Sequence, residues 1–223
     1  MTRYVIYALP GADHPGPTPA RRLREVVTDW FARDDMREVT IDARRYGYHA
    51  TVKAPFHLAD GVTEADLHTL TSAVVARHHP VTIPSLKPAV ISGFRVLTPT
   101  GNQEDINHLA AEVVRRIDTF RAPLTPDEYT RRRPDQLTPG QRELLDEYGY
   151  PYVLDEYRFH ITLTDTLPPR RETEIDQQIA AHFSPVIGVD VLLTALAICV
   201  EPTPGGPFEL LSLHPLNNQE TTR

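Results

Sequence analysis

One short pattern occurs twice in this chain of 223 residues. Residues 46–53 read YGYHATVK and residues 157–164 read YRFHITLT. Each copy has Tyr, any residue, an aromatic residue, His, an apolar residue, Thr and a second apolar residue. The aromatic and β-branched content, with apolar and polar positions alternating, predicts that both copies are strands with one buried face.

The repeated pattern places a histidine and a threonine side chain on one face of each strand. Residues two apart share a strand face, so His49 lies beside Thr51 and His160 beside Thr162. Facing each other across a cleft, the two strands supply two imidazoles for proton transfer and two hydroxyls that donate to phosphate oxygens. For one copy alone a structural histidine is the simpler interpretation, but recurrence of the whole pattern favours the functional one.

These paired H-x-T motifs resemble the two-histidine (2H) phosphoesterase superfamily, which includes LigT-like RNA cyclic phosphodiesterases. The stretches RRYGYHATVKAPF (44–56), FRAPL (120–124) and GYPYVLDEYRFH (149–160) are similar to one branch of it, often encoded beside bacterial phosphonate-utilisation genes. The resemblance covers most of the chain, from Arg3 to about Leu213.

The resemblance implies an α+β fold with two lobes related by a pseudo-twofold axis. Antiparallel sheets line a central cleft and helices lie outside. We expect a single bilobal domain over residues 1–216, with the two motifs at 46–53 and 157–164. An Arg- and Pro-rich insertion is expected at about 121–155, and a disordered tail at 217–223.

The resemblance also implies the activity, which is hydrolysis of a cyclic phosphate without a metal or cofactor. His49 and His160 are the acid and base in an order that the sequence leaves open, and Thr51 and Thr162 assist them. The substrate is a ribose or nucleotide 2′,3′- or 1,2-cyclic phosphate, or an RNA end. The phosphonate association and the acidic charge favour a small molecule.

Further residues are candidates for binding the substrate. Strand parity places Lys53 and Arg158 on the histidine faces, and Thr164 is the counterpart of Lys53 in the second copy. Tyr46 is a rim residue and Tyr4 a candidate pocket residue. The arginine run 131–133 (Arg131, Arg132 and Arg133) is either a solvated turn or a source of bidentate phosphate contacts.

Composition excludes several classes of protein. The formal net charge of −7 argues against a protein that coats long polynucleotides. No apolar run approaches the length of a membrane span and no signal peptide is evident, so we expect a cytoplasmic monomer. The single cysteine, Cys199, lies in an apolar run and is expected to be buried and inert.

Two other functions remain as alternatives. A binding module on the same fold would hold a phosphorylated ligand or nucleotide without hydrolysing it. A His-ligated metallohydrolase would need H-x-H, H-E-x-x-H or a comparable cluster, and the sequence contains neither motif. The sequence also has no P-loop and no G-x-G-x-x-G turn.

The remaining chain predicts four longer helices and several strands. The helices are placed at 19–33, 63–78, 104–120 and 172–183, with Thr63 as the N-cap of the second. Strands are placed at 3–9 and in a closing hairpin over 186–201 and 208–214. Residues 81–97 are expected to form two strands separated by Lys87-Pro88, and residues 34–45 a loop.

Overall fold

Nine strands carry the framework of the protein in a computed structural model that describes residues 2–13 and 16–217. Their bounds are β1 Arg3–Ala8, β2 Ala50–Phe56, β3 Val81–Ile83, β4 Leu86–Ile91, β5 Phe94–Pro99, β6 Ile161–Thr162, β7 Val191–Leu193, β8 Ala195–Glu201 and β9 Glu209–Pro215. All of their pairings are antiparallel.

Seven α-helices lie within the described residues. They are α1 Pro19–Ala32, α2 Ile41–Tyr46, α3 Glu64–Val75, α4 Glu104–Ile117, α5 Pro126–Arg131, α6 Pro139–Tyr148 and α7 Pro169–Phe183. Short 3₁₀ segments lie at Asp34–Val39, Asp118–Phe120, Pro134–Gln136 and Leu154–Glu156. The predicted loop at 34–45 is therefore wrong, because a 3₁₀ segment and α2 occupy it.

Local sequence explains where several helices begin. Thr63 caps α3 in a capping box with Asp66, as predicted, since each side chain bonds the other's backbone N–H. Thr125 and Thr138 form the same arrangement at α5 and α6, each followed by a proline in the first turn. These caps define the two helices of the insertion.

The strands form two sheets and a ribbon. The larger sheet has the order β2-β1-β8-β9, the smaller has β4-β5-β6, and β3 pairs with β7 alone. The first motif therefore lies on the larger sheet and the second on the smaller one. The interruption in residues 81–97 falls at Pro84-Ser85 rather than at Lys87-Pro88, and a second turn at Ser92-Gly93 makes three strands instead of two.

The larger sheet has two different faces. Tyr4, Ile6 and Ala8 of β1 belong to the main core, and α3 and α4 pack on the sheet. Val5 and Tyr7 of β1 point the other way and pack with residues of β8, including Cys199. Cys199 is buried as predicted, and burial raises the pKa of its thiol to about 12.

A β-bulge in β2 changes which residues share a face. Tyr7 is opposite Thr51 and Ile6 is opposite Lys53, so one step along β1 corresponds to two steps along β2. Thr51 therefore lies on the Tyr7 face, whereas Lys53 lies on the Ile6 face with the main core. The strand parity that placed Lys53 beside Thr51 does not hold across this bulge.

The second motif is less regular than predicted. Only Ile161 and Thr162 pair as a strand, opposite Leu97 and Val96 of β5. The burial of residues 157–163 still alternates between buried and more accessible positions. In the first copy the strand begins at Ala50, after α2 has ended at Tyr46.

The two motif segments are tied together just after the second one. The carboxylate of Asp165 accepts hydrogen bonds from the N–H groups of Asp42 and Ala43, at 3.1 and 2.9 Å, in the first turn of α2. Trp30 of α1 donates from Nε1 to the carbonyl of Leu163 at 2.9 Å. The helix that precedes His49 is thus held by residues that follow His160.

The remaining observations concern the C-terminal end of the described residues and the length of the helices. The N–H of Asn217 donates to the carbonyl of His78, and the rest of the predicted tail lies outside the described residues. Over residues 2–13 and 16–217, none of the helices combines the length and apolar character needed to cross a lipid bilayer.

Candidate active site

The two motif histidines are held by the same local hydrogen bond. Nδ1 of His49 lies 3.0 Å from the carbonyl oxygen of Gly47, and Nδ1 of His160 lies 2.8 Å from that of Arg158. A carbonyl oxygen can only accept, so each Nδ1 carries the proton. Nε2 is then the nitrogen left for a substrate, and it is a proton acceptor when the ring is neutral.

Backbone geometry at Gly47 aims the first histidine. Gly47 ends α2 with φ of 69° and ψ of −162°, a conformation that side chains with a Cβ rarely adopt. This turn carries the chain from the helix into β2 and brings the Gly47 carbonyl to the imidazole. The second copy reaches the same contact without a positive φ at Arg158.

His49 and His160 line two adjoining cavities. The small cavity, about 200 Å³, has both histidines, Thr162 and Tyr46 in its wall. The large cavity, about 410 Å³, has His160 and Thr51. Ile91, Phe94 and His160 belong to both walls, so the cavities meet at the second histidine. The structure therefore gathers His49, Thr51, His160 and Thr162 around one cleft.

The surroundings of His49 keep its ring neutral. Burial and the nearby His160 lower the pKa of His49 to about 4, although the hydrogen bond to Gly47 acts in the opposite direction. The ring of Tyr7 packs against it with centroids 4.2 Å apart. At neutral pH this imidazole is unprotonated, which is the state of a general base.

The two motif threonines have unused hydroxyls. Neither Thr51 nor Thr162 makes a side-chain hydrogen bond with any described residue, and both are half-buried in the cavity walls. By contrast Thr98, one strand away, donates to the carbonyl of Phe159. The free hydroxyls are donors that can serve a bound phosphate.

Two predicted binding residues also line the cleft. Tyr46 lies in the wall of the small cavity, where its ring is 6.0 Å from that of His49. Arg45 donates to the Tyr46 hydroxyl at 2.6 Å and fixes it. Arg158 is exposed in the wall of the large cavity, where it makes no ion pair with a described residue.

Three predicted binding residues have other positions. The Nζ of Lys53 is ion-paired with Asp118 at 2.8 Å on the core face of the sheet. Thr164 is fully buried, donates to the carbonyl of Asp165 and accepts from the N–H of Arg95. Tyr4 donates to Glu64 at 3.1 Å beside α3. None of the three lies in the wall of either cavity.

The three residues of the arginine run 131–133 also occupy different environments. Arg131 and Arg132 line a separate pocket, and Arg132 stacks on Tyr150 with its guanidinium carbon 4.9 Å from the ring centre. Arg133 is exposed, has φ of 50° and lines neither this pocket nor the cleft. The solvated-turn interpretation therefore describes Arg133, and Arg132 approaches the cleft through Tyr150.

Sequence reasoning missed several residues of the cleft wall. Phe94 and Ile91 come from the hairpin between β4 and β5, and the Ser-Gly dipeptide at its turn was the available signal. Tyr150 and Tyr152 come from the insertion and bring aromatic rings to the large cavity. Asp165 lines the small cavity next to the second motif.

A metal or cofactor site was not expected from the sequence. Within the described part of the chain, no group of three or more His, Cys, Asp or Glu side chains is arranged to hold a metal ion. The imidazoles of His49 and His160 both line the small cavity.

Comparison with known proteins identifies the family. Residues 51–209 match the family described as protein of unknown function (DUF1045). The chain belongs to this family. A relative from Janthinobacterium sp. (strain Marseille), named ribose 1,5-bisphosphate phosphokinase PhnN, is 34% identical over 93% of the chain. The match covers 49% of that relative, so the chain spans about half its length.

Solved structures show the fold of this DUF1045 protein. A phosphoesterase of known crystal structure is 14% identical to this chain, with a TM-score of 0.50. The match covers 97% of this chain and 99% of the phosphoesterase chain. LigT of E. coli, in complex with NADP⁺, is 15% identical over 97% and 98% of the two chains, with a TM-score of 0.48. The likeness to the phosphoesterase structure confirms the expected α+β fold with antiparallel sheets, and the PhnN name agrees with the phosphonate-associated branch.

Proposed function

We propose that this protein hydrolyses a cyclic phosphodiester with His49 and His160 as base and acid. One observation carries the proposal. Two imidazoles with matched Nδ1 hydrogen bonds, and two threonine hydroxyls without protein partners, line adjoining cavities in a phosphoesterase fold. These groups match the needs of in-line displacement at a phosphate.

The geometry supports an order for the two histidines. Nε2 of neutral His49 takes a proton from water, whose oxygen forms the new bond to phosphorus. The bond from phosphorus to the ring oxygen breaks, and protonated His160 donates from Nε2 to that oxygen. Thr51 and Thr162 donate hydrogen bonds to the non-bridging oxygens, where charge concentrates in the transition state. The low pKa of His49 is the reason for assigning it as the base.

The relatives favour a ribose substrate. Their name states that they phosphorylate ribose 1,5-bisphosphate, and this chain, which has no P-loop, matches half of one. Hydrolysis of ribose 5-phosphate 1,2-cyclic phosphate breaks the bond between phosphorus and O2 and leaves ribose 1,5-bisphosphate. We therefore propose this cyclic ester first, ahead of a nucleoside 2′,3′-cyclic phosphate or an RNA end. A cytoplasmic, monomeric state remains part of the proposal.

The test is hydrolysis of these three kinds of cyclic phosphate in excess EDTA. Wild type is compared with His49→Ala, His160→Ala and, as a matched control, His108→Ala, an exposed histidine on α4 outside both cavities. We expect each motif substitution to lower kcat/KM by about 10²-fold or more and the control to retain full activity.

Other outcomes contradict the proposal in distinct ways. Loss of activity with EDTA, restored by a divalent cation, overturns the metal-independent mechanism. Binding of a cyclic phosphate that depends on both histidines, without turnover, favours the binding module. Equal activity in all four proteins places the chemistry elsewhere.

A further inference from the structure

A pocket of about 180 Å³ lies at the far end of the larger sheet from His49. Its wall is formed by the start of β1, the end of β2 and the first part of the insertion. Four arginines line it: Arg3, Arg121, Arg131 and Arg132. This concentration of positive charge stands out in a chain with a formal net charge of −7.

The negative charges nearby are already engaged. Arg3 is paired with Glu201, and Arg121 with Asp118 at 2.8 Å. Glu128, the carboxylate in the pocket wall, accepts from the N–H of Thr125 at 2.9 Å and lies 3.3 Å from Nε2 of His57. Neither Arg131 nor Arg132 has an ion pair or hydrogen bond from its side chain to a described residue.

Arg132 is the most constrained of these groups. Arg132 is half-buried and its guanidinium stacks on the ring of Tyr150. None of the described residues accepts a hydrogen bond from the side-chain N–H groups of Arg132. Burial lowers the pKa of Arg132, and the charges of Arg3 and Arg131 act in the same direction, while Tyr150 and Glu128 raise it in part. A partly desolvated cation beside two others is unfavourable unless an anion joins them.

We propose that this arginine pocket binds a phosphate group, with the guanidinium edge of Arg132 as its bidentate donor and Arg3 and Arg131 supplying further positive charge. The planar fork of arginine matches the spacing of two phosphate oxygens. The proposal stands on this pocket alone and does not require that the histidine cleft be catalytic.

The phosphate has two conceivable sources. Tyr150 contacts Arg132 and also lines the large cavity, so one aromatic residue connects the arginine pocket with the cleft. Thr51 of the cleft and Pro55 of the pocket are four residues apart on β2, or roughly 13 Å. A second phosphate on the substrate and a separate phosphate-bearing ligand are both compatible with this placement.

The position of the anion is tested by soaking crystals in sodium tungstate, a heavy phosphate analogue. We expect an anomalous peak within hydrogen-bonding distance of the Arg132 guanidinium, in addition to any peak between the histidines. Arg132→Gln should lose the pocket peak and keep the other. Arg133→Gln, the exposed neighbour that lines neither site, should keep both.

Affinity is measured by titrating inorganic phosphate into protein that carries His49→Ala and His160→Ala, so that the cleft is disabled. In this background Arg132→Gln should weaken binding by about tenfold or more, and Arg133→Gln by less than about twofold. Arg131→Gln, a change at an exposed side chain that does not threaten folding, should weaken binding several-fold. Equal affinity in all the variants, with no tungstate in the pocket, overturns the proposal.

A substrate comparison separates the two sources. Nucleoside 2′,3′-cyclic phosphates with and without a 5′-phosphate are tested on wild type and Arg132→Gln. If the 5′-phosphate lowers KM in wild type alone, the substrate supplies the phosphate; if it has no effect while inorganic phosphate still binds, a separate ligand does. Should no substrate be cleaved, the phosphate titration and the tungstate peaks still decide this proposal.

Discussion

His49 and His160 each make the same kind of hydrogen bond, from Nδ1 to a backbone carbonyl oxygen, but their environments differ. His49 packs against Tyr7 and lines only the small cavity, whereas His160 lies in the walls of both cavities. The same motif therefore places two imidazoles whose surroundings differ, and acid/base catalysis needs such a difference.

The pH dependence of kcat/KM tests the role of His49. The unprotonated ring is the base, so activity is lost as pH falls through its pKa. That pKa is about 4 in the free protein, well below the ordinary value near 6.5. We expect the acid limb of the profile near pH 4, with apparent constants that belong to the pair. An acid limb near pH 6.5 would contradict the assignment of His49 as the neutral base.

Two threonines of the second motif should behave differently when replaced by valine. Thr162→Val removes a hydroxyl that has no described protein partner, so kcat should fall by about 10²-fold with little change in Tm. Thr164→Val removes two buried hydrogen bonds, so it should cost about 1–3 kcal/mol of stability and leave kcat nearly unchanged. Kinetics and thermal melts on both variants check this contrast. A larger kcat loss in Thr164→Val would restore Thr164 as a substrate contact.

Among the elements, β2 shows how one extra residue redirects a side chain. The bulge at Val52 leaves Thr51 on the cleft face and turns Lys53 to the core, where Asp118 neutralises it. Burial lowers the pKa of Lys53 and Asp118 raises it, so the pair depends on mutual contact. This position gives Lys53 a structural contact in place of the expected neighbour, His49.

Lys53→Met separates the two possible roles of this lysine. Because the substitution leaves Asp118 with Arg121 alone, we expect a stability loss of about 1–3 kcal/mol and a KM within about twofold of wild type. Lys87→Met is the matched control, since Lys87 is the other lysine of the chain and is exposed on β4. A raised KM with unchanged stability would instead support a substrate contact for Lys53.

At the scale of the whole molecule, contacts between distant segments hold the two motifs in place. Asp165 caps α2, and the indole of fully buried Trp30 bonds to the backbone beside the second motif. The main core also combines residues from both sheets and from α1, α3, α4 and α7. Such shared packing favours cooperative unfolding.

Trp30 provides the measurement of that cooperativity. It is the single tryptophan, so its fluorescence reports the contact between α1 and the second motif, while far-UV circular dichroism reports all helices. If residues 1–216 form a single domain, as predicted, the two signals should give the same denaturant midpoint. Separate midpoints would show that the lobes unfold as independent units.

Sequence patterns predicted local structure well where the residues that stabilise an element lie within that element. The heptad-like apolar spacing of α1 and α4 and the capping box at Thr63 were sufficient for those helices. The 34–45 loop was mispredicted because its 3₁₀ segment and α2 are short and depend on packing. Asp165 caps α2 from more than a hundred residues away, and no local pattern carries that information.

The sequence by itself determined the pair of motifs, the family resemblance and the residues that supply imidazole and hydroxyl groups. These features depend on residue identity and on short spacings, both of which can be read from the sequence. Only the tertiary structure decided that Lys53 leaves the cleft, that Tyr150 and Phe94 enter it, and that Arg132 lies in a separate pocket without an ion pair to any described residue. Bulges, hairpin placement and the pairing of charges arise from contacts between remote segments. The alternation of apolar and polar residues along one strand does not predict such contacts.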